Sequence, residues 1–132
     1  MRECVLVLAA ATAIASGASA AAEGVFGVWQ TQATDDGRYL QVETHPCADD
    51  EAKVCGTIVG AFGGARPDSV GKAIIWDMAP DGPNAWDDGK IWKADEDKVY
   101  DSGMKLQGDT LKVSGCILAG LICKSQKWPR VR

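Results

Sequence analysis

After an apolar N-terminal stretch, the chain consists of short runs of β-branched and aromatic residues separated by glycine and aspartate. No window of a dozen residues shows the 3.6-residue period of an amphipathic helix. Short apolar runs bounded by turn-forming residues are typical of β-strands. The pattern therefore predicts about eight strands and little helix. The predicted strands are Phe26–Thr31, Arg38–Thr44, Lys53–Ala61, Ala73–Met78, Lys90–Lys93, Lys98–Gln107, Thr110–Cys116 and Cys123–Val131.

One predicted strand pair lies on either side of Gly108-Asp109, which is a two-residue turn signal between alternating runs. This turn pairs Gln107 with Thr110 and places apolar residues opposite each other on one face and lysines on the other. A shift of one residue would expose part of the apolar face, so the register is well specified. The predicted apolar pairs are Leu106 with Leu111 and Met104 with Val113, and the lysine pair is Lys105 with Lys112.

Residues 63–89 differ from the rest because glycine and proline are frequent and Ile74-Ile75-Trp76 is a single short apolar run. We interpret this region as long loops around one short strand. Loops of this length often carry function, and simple connection is an equally good interpretation.

An antiparallel sheet of about eight short strands has to protect its edges, and closure into a barrel removes them. We therefore predict an all-β fold, a small, mostly antiparallel closed β-barrel, with an open sandwich as the alternative. Gly27 and Trp29 lie in the first strand and Arg130 in the last. These strands are neighbours in a closed barrel, so we expect Arg130 to stack on the Trp29 ring in a structural role.

Residues 1–22 have the pattern of a secretory signal peptide. Arg2 provides a short basic region, an apolar run follows from Cys4 to Ile14, and A-x-A sequences predict cleavage after Ala20 or Ala22. The run is shorter than the roughly 20 residues that a membrane-spanning helix needs. Residues 23–132 are therefore predicted to form a single exported domain, periplasmic or secreted.

Four cysteines remain after the signal peptide: Cys47, Cys55, Cys116 and Cys123. An even number in an exported chain indicates disulfides, and three pairings are possible. The clustering along the chain favours Cys47–Cys55 and Cys116–Cys123. A zinc site would need C-x-x-C pairs or nearby histidines, which are not present, so no metal is predicted.

The composition of the 132 residues is ordinary for a globular protein, with 46% hydrophobic and 24% charged residues. The net charge of −4 argues against a nucleic-acid-binding protein. No P-loop, dinucleotide fingerprint, nucleophile elbow or zinc-protease motif is present. The one histidine, His45, is predicted in a surface loop just after the second strand. We therefore predict no catalytic residue, no cofactor and no enzyme activity.

Two clusters in the middle of the chain are candidates for binding. The first is aromatic and either lines an apolar ligand cavity or belongs to the core. The second is the stretch Asp77–Asp101, in which eight acidic residues and three lysines give a net charge of −5. Its spacing matches no EF-hand loop, so we interpret it as a solvated rim. The aromatic candidates are Trp76, Trp86, Trp92 and Tyr100.

Several sequence blocks together resemble a bacterial exported family known as domain of unknown function 2147. They are Gly27-Val28-Trp29, Pro46-Cys47, Cys55 to Val59, Trp86 to Trp92 (WDDGKIW), Lys98-Val99-Tyr100, Leu111 to Cys116, and Cys123 to Arg130. The resemblance implies a lipocalin-like barrel in the periplasm or outside the cell of Gram-negative bacteria. It implies no enzymatic activity, because none is attached to the family as a whole.

Two functions of different classes follow. The first is a binding module that holds a small apolar or amphipathic ligand, with the aromatic cluster as its lining. The alternative is an envelope stress or protein-interaction module with a packed barrel and no small ligand. In that case the acidic stretch and the glycine- and proline-rich loops contact an envelope protein.

Overall fold

The chain forms eight antiparallel strands, in which inward apolar side chains alternate with outward polar ones. One short 3-10 turn lies between two of them. The computed structural model describes residues 24–132, so the predicted signal peptide and its cleavage sites lie outside the described residues. Within this part of the chain, no helix is long and apolar enough to span a membrane. The strands are β1 Val28–Gln30, β2 Tyr39–Pro46, β3 Val54–Phe62, β4 Ala73–Pro80, β5 Ala85–Lys93, β6 Lys98–Gln107, β7 Thr110–Ile117 and β8 Ile122–Pro129, with the 3-10 turn at Pro67–Ser69.

Each strand pairs with the next one in sequence, and the ends of this meander meet to form a nearly closed barrel. Trp29 forms a single bridge pair with Arg130 across the seam between β1 and β8. The N–H of Val131 also donates to the carbonyl of Val28, and the N–H of Val28 donates to the carbonyl of Arg132, each at 2.7 Å. The predicted antiparallel barrel is confirmed. Its first and last strands are joined by only a few of the backbone hydrogen bonds found in the described residues.

The seam is also held by side chains. The Arg130 guanidinium carbon lies 4.3 Å from the centroid of the Trp29 ring. Arg130 also donates to the carboxylate of Asp109 at 2.9 Å and to the carbonyls of Gly24 and Phe26. A Cβ on Gly27 would come within 2.6 Å of the same guanidinium, so this close approach requires glycine.

The hairpin around Gly108-Asp109 has the predicted register. Gln107 pairs with Thr110, and the two lysines pair with each other. Met104, Leu111 and Val113 are buried, whereas both lysines are exposed. Local turn chemistry and alternation therefore specify this part of the sheet correctly.

Two predictions about secondary structure are wrong. Strand β5 begins at Ala85 rather than Lys90, so the predicted loop region ends earlier than Gly89. The ladder with β6 is interrupted between Trp86 and Gly89, where Asp88 has a φ of 60°. Such a β-bulge accommodates residues that disfavour regular strands. His45 belongs to β2, where it pairs with Cys55, rather than to the loop after it.

The two ends of the barrel have different interiors. We call the end that carries the β2–β3, β4–β5 and β6–β7 connections the packed half, because most of the large core side chains fill it. We call the other end, where the remaining four connections lie, the open half. The core cluster consists of Val25, Trp29, Val42, Val54, Ile58, Ile74, Ile75, Met78, Trp86, Met104, Leu111, Val113 and Trp128.

Candidate ligand-binding cavity

A cavity of about 570 Å³ opens at the end of the barrel formed by the β1–β2, β3–β4, β5–β6 and β7–β8 connections. Its deepest lining residues, Ile74, Val113 and Trp128, also belong to the core cluster and are at most 4% exposed. We call these three residues the floor. Pockets for small molecules are concave, mostly apolar and about 300–1,000 Å³ in volume. The open half therefore has the size and shape of a ligand site.

The walls of the cavity combine apolar side chains with one position that has no side chain. Leu40, Ile91, Trp92 and Tyr100 line the walls, and Gly115 lies on the inward face of β7 between Val113 and Ile117. A Cβ on Gly115 would lie 3.6 Å from Ile91 and 3.8 Å from Tyr100, which are ordinary contact distances. The glycine therefore leaves space that a larger residue would occupy.

Charged side chains surround the opening. Lys93 lies 3.6 Å from Asp95 and 3.4 Å from Glu96, and Arg38 lies 3.9 Å from Asp95. The cavity lining also includes Lys124. This arrangement places an apolar interior below a charged rim, which suits a molecule with one apolar and one polar end. The rim residues are Arg38, Arg66, Lys93, Asp95, Glu96 and Lys124.

Tyr100 is held at the wall by a hydrogen bond from its hydroxyl to the carboxylate of Glu96, at 2.6 Å. This bond is the largest cause that raises the pKa of Tyr100, because the phenol donates to a negative charge. The same bond is the main cause that lowers the pKa of Glu96, with Lys93 adding to the effect. Both effects keep the phenol protonated and the carboxylate ionised at neutral pH.

Trp92 is fixed by polar partners around its ring. Its indole N–H donates to the carboxylate of Asp97 at 2.9 Å. The guanidinium of Arg66 and the amine of Lys72 lie 5.6 Å and 5.5 Å from the ring centroid, within the range of cation–π attraction. The carboxylate of Asp68 holds the guanidinium of Arg66 and raises its pKa. Trp92 is therefore a preorganised part of the wall.

The four predicted aromatic residues do not share one site. Trp92 and Tyr100 line the cavity, whereas Trp86 is 7% exposed and belongs to the core cluster. Trp76 is half-buried and is not among the lining residues. Neither the floor residues nor Gly115 are predicted as site residues from the sequence. The alternation of β7 was the available signal, since it places Val113 and Gly115 on the same inward face.

Much of the acidic stretch is engaged locally. Lys90 pairs with Asp101 at 2.5 Å, and Lys93, Trp92 and Tyr100 engage further carboxylates of the same stretch. Asp87 and Asp88 are exposed. They line a second surface pocket together with Lys90, Asp101 and residues next to the β7–β8 connection.

Among the described residues, one group has carboxylate and sulfur atoms close enough to consider as metal ligands. It contains Cys47, Asp49 and Asp77. The Sγ of Cys47 is bonded to Cys55, so it is not a thiolate, which is the form of cysteine that binds metals. This group therefore provides no argument for a metal.

Both nitrogens of the His45 ring have protein partners. The Nδ1–H donates to the carbonyl of Pro46 at 2.9 Å, which leaves Nε2 to accept from the Thr57 hydroxyl at 2.8 Å. His45 is not among the residues that line the cavity. Its surroundings thus resemble those of a structural histidine.

The two disulfides join Cys47 to Cys55 and Cys116 to Cys123, which is the pairing that the clustering favoured. The first lies in the packed half, where Cys47 is buried. The second links β7 to β8 across the directly paired positions next to their connection. It therefore supports the part of the open half where Ile117 and Ile122 line the cavity.

Comparisons with known proteins agree with this architecture. The family model described as "Uncharacterized protein conserved in bacteria (DUF2147)" matches residues 27–130. None of the curated proteins matches the chain. The solved structure of protein HP1028 from Helicobacter pylori, which is described as belonging to the lipocalin family, is similar with a TM-score of 0.66 and 16% identity. The similarity covers 82% of this chain and 83% of that chain, and it shows the fold alone. The chain belongs to the bacterial family DUF2147, and its fold is a lipocalin-like β-barrel.

Proposed function

We propose that this protein is a non-catalytic binding protein that holds a small molecule with an apolar body and a polar end in the cavity of its open half. The observation that carries the proposal is the cavity of about 570 Å³ with its buried apolar floor. Burying apolar surface on such a floor contributes roughly 25 cal/mol per Å². The lipocalin-like fold supports the proposal, because barrels of this size hold one small ligand or are filled by their own side chains.

The charged rim determines how the ligand is oriented. An apolar body gains most from contact with Trp128 and Val113, whereas a polar end that entered so deeply would lose its hydration without a charged partner. The polar end therefore stays near Arg38, Lys93 and Lys124 at the rim. We expect amphipathic molecules to bind more tightly than purely apolar ones of the same size.

We further propose that the protein works after export, in the periplasm or outside the cell. The two disulfides support this location, because disulfides persist in oxidising compartments. The signal-peptide pattern of residues 1–22 supports it independently.

The test is a titration with 1-anilinonaphthalene-8-sulfonate, whose apolar rings and sulfonate match the two ends of the proposed ligand. We expect saturable fluorescence enhancement with one site per chain. In the variant Gly115→Phe, the new Cβ fits at ordinary contact distances and the ring occupies the cavity. This variant should bind the probe at least tenfold more weakly, which is about 1.4 kcal/mol. Circular dichroism should show the wild-type sheet content in this variant.

The matched control is Lys112→Phe, which adds the same ring on the exposed face of the same strand. This variant should bind the probe like the wild type. Equal binding by the wild type and Gly115→Phe would refute the proposal. A native mass spectrum of the protein as purified provides the complementary measurement, because an added mass that organic extraction removes would identify an occupant.

A further inference from the structure

One side of the cavity is polar, and it lies at the seam where the barrel closes. On the inward face of β8, Trp128 of the floor is followed towards the rim by Gln126 and Lys124, because alternate residues of a strand share a face. Thr31, which directly follows β1 on the other side of the seam, also lines the cavity. We call Thr31, Gln126 and Lys124 the polar stripe. The stripe leads from the floor to the opening.

The two neutral side chains of the polar stripe have their oxygen atoms occupied by protein donors. The Oε1 of Gln126 accepts from the indole N–H of Trp128 at 2.9 Å, and the Oγ1 of Thr31 accepts from the backbone N–H of Leu40 at 2.9 Å. Among residues 24–132, neither the Gln126 amide nitrogen nor the Thr31 hydroxyl donates to a protein acceptor. A buried donor without an acceptor is costly, and Thr31 is only 9% exposed. Both side chains therefore offer donors, rather than acceptors, to a ligand.

Lys124 supplies a positive charge to the polar stripe. Among the described residues it takes part in no ion pair, whereas carboxylates engage each of the other cations that line the cavity. The charge of Lys124 is therefore available to a ligand. The engaged pairs are Arg38 with Asp36 and Asp95, Arg66 with Asp68, and Lys93 with Asp95 and Glu96.

The carboxylates near the opening belong to other parts of the barrel. Asp95 and Glu96, the two acidic residues of the lining, lie in the β5–β6 connection, where Lys93 engages both. Residues 110–132, which supply most of the stripe, contain no acidic residue. An anionic group at the stripe therefore meets hydrogen-bond donors and the charge of Lys124. A separate surface pocket is lined by Asp87, Asp88 and Asp101.

We propose that the ligand of the cavity carries an anionic oxygen head group, such as a carboxylate, and that the polar stripe binds this head group. The proposal rests on the proposed function, because it specifies the ligand of the same cavity. A carboxylate accepts hydrogen bonds and donates none, so it matches the free donors of Gln126 and Thr31 and the charge of Lys124. A cationic head group would meet the same donors and the same positive charge, so the stripe disfavours it.

The experiment compares ligands that share a decyl chain and differ in the charge of the head group: decanoate, decanol and decyltrimethylammonium. Isothermal titration calorimetry measures their affinities for the disulfide-bonded protein. We expect decanoate to bind about tenfold more tightly than decanol, because hydrogen bonds to a charged acceptor are roughly twice as strong as neutral ones. Decyltrimethylammonium should bind most weakly of the three.

Two substitutions reverse the charge of the polar stripe. Gln126→Glu keeps an oxygen acceptor for the Trp128 indole and replaces the amide donors by a negative charge. Decanoate should bind this variant about tenfold more weakly, whereas decyltrimethylammonium should bind it more tightly than it binds the wild type. Lys124→Glu should change both affinities in the same directions. Lys124 is exposed, so this second variant tests the proposal even where Gln126→Glu disturbs folding.

The matched control is Lys127→Glu. This residue lies on the same strand, is exposed and is not among the residues that line the cavity, so the variant makes the same change in net charge outside the site. Decanoate should bind it like the wild type. Equal weakening in Lys127→Glu and Lys124→Glu would overturn the proposal, because the effect would then come from the overall charge.

Two further results would overturn the proposal. The first is equal affinity of the wild type for decanoate and decyltrimethylammonium, which would leave the proposed function intact because the cavity would still hold amphipathic molecules. The second is a decanoate affinity that both stripe variants leave unchanged, since the head group would then lie elsewhere in the cavity. Absence of binding for all three ligands and for 1-anilinonaphthalene-8-sulfonate would contradict the proposed function itself, and the proposal would fail with it.

Discussion

The packed half and the open half are built from the same strands, yet they hold different interiors. In the packed half, Trp29 and Trp86 fill the barrel, and glycines lie where backbone or side chains approach closely. In the open half, a Cβ on Gly115 would fit at ordinary contact distances, and Trp92 stands at the wall with polar partners around it. The difference indicates that one end maintains the fold and the other provides room for a ligand. Identical substitutions at the two ends should therefore differ in how strongly they affect stability and in whether they affect ligand binding.

The largest contrast is expected between Trp29→Ala and Trp92→Ala. Trp29 is fully buried, and its indole N–H donates to the carbonyl of Val25 at 3.0 Å, so its removal should cost about 3–5 kcal/mol of unfolding free energy. Trp92 is half-buried, so its removal should cost about 1 kcal/mol while weakening probe binding strongly. Urea denaturation and probe titration of both variants measure the two effects. Equal destabilisation would contradict the division between the halves.

Removal of the Cys116–Cys123 disulfide should have the next largest effect on stability. Cys116→Ser/Cys123→Ser opens a loop with a sequence separation of 7 and should cost about 2.5 kcal/mol, because the unfolded chain gains freedom. The variant should also lose probe affinity, since Ile117 and Ile122 line the cavity. The comparison is Cys47→Ser/Cys55→Ser, which should destabilise the protein by at least as much and leave the affinity of the remaining folded molecules unchanged. Loss of affinity in both variants would show that the two ends are not independent.

A smaller contrast is expected from Gly→Ala at Gly89 and Gly115, which both pair with Ser102 but differ in the space around them. A Cβ on Gly89 would come within 2.6 Å of the Met78 sulfur and 2.9 Å of the Trp76 carbonyl, so Gly89→Ala should cost about 1–3 kcal/mol. The Cβ that Gly115→Ala adds would lie at ordinary contact distances from its neighbours, and alanine restricts the unfolded chain more than glycine does. The unfolding free energy of this variant should therefore equal that of the wild type or exceed it by up to about 1 kcal/mol. Thermal denaturation of the two variants measures this. A clear loss of stability in Gly115→Ala would mean that the cavity wall is already packed.

The smallest effect is the pH dependence of the Tyr100–Glu96 hydrogen bond. The pKa of Glu96 is lowered from its ordinary 4.5, so its contribution to stability is present above that value and is lost as the pH falls through the lowered pKa. The pKa of Tyr100 is raised above 10.0, so its contribution is complete below that value and is lost as the pH rises through the raised pKa. In a Tyr39→Phe background, ultraviolet titration follows Tyr100 alone. Glu96→Gln should lower its pKa, and an unchanged midpoint would show that the hydrogen bond is not maintained in solution.

The sequence predicted the hairpin of Met104 and Val113 well, because turn chemistry and alternation agree there. The start of β5 was not predicted from the sequence, because Asp87, Asp88 and Gly89 are residue types that disfavour regular strands. In the structure a β-bulge between Trp86 and Gly89 accommodates them in the sheet.

The aromatic cluster illustrates why the site was predicted only in part. Trp86 and Trp92 are close in sequence but lie six residues apart on β5, which corresponds to roughly 20 Å along a strand. They therefore belong to opposite ends of the barrel. The floor residues Val113 and Trp128 come from other strands, and their meeting with Trp92 depends on barrel closure, which no local pattern encodes.

The most direct test of the division into two halves is a nuclear magnetic resonance titration of the five indole N–H signals with 1-anilinonaphthalene-8-sulfonate. The chain has five tryptophans, and two of them, Trp92 and Trp128, line the cavity. We predict that these two signals shift on binding, whereas those of Trp29, Trp76 and Trp86 stay in place. Shifts at Trp29 or Trp86 with an unmoved Trp92 would contradict the account.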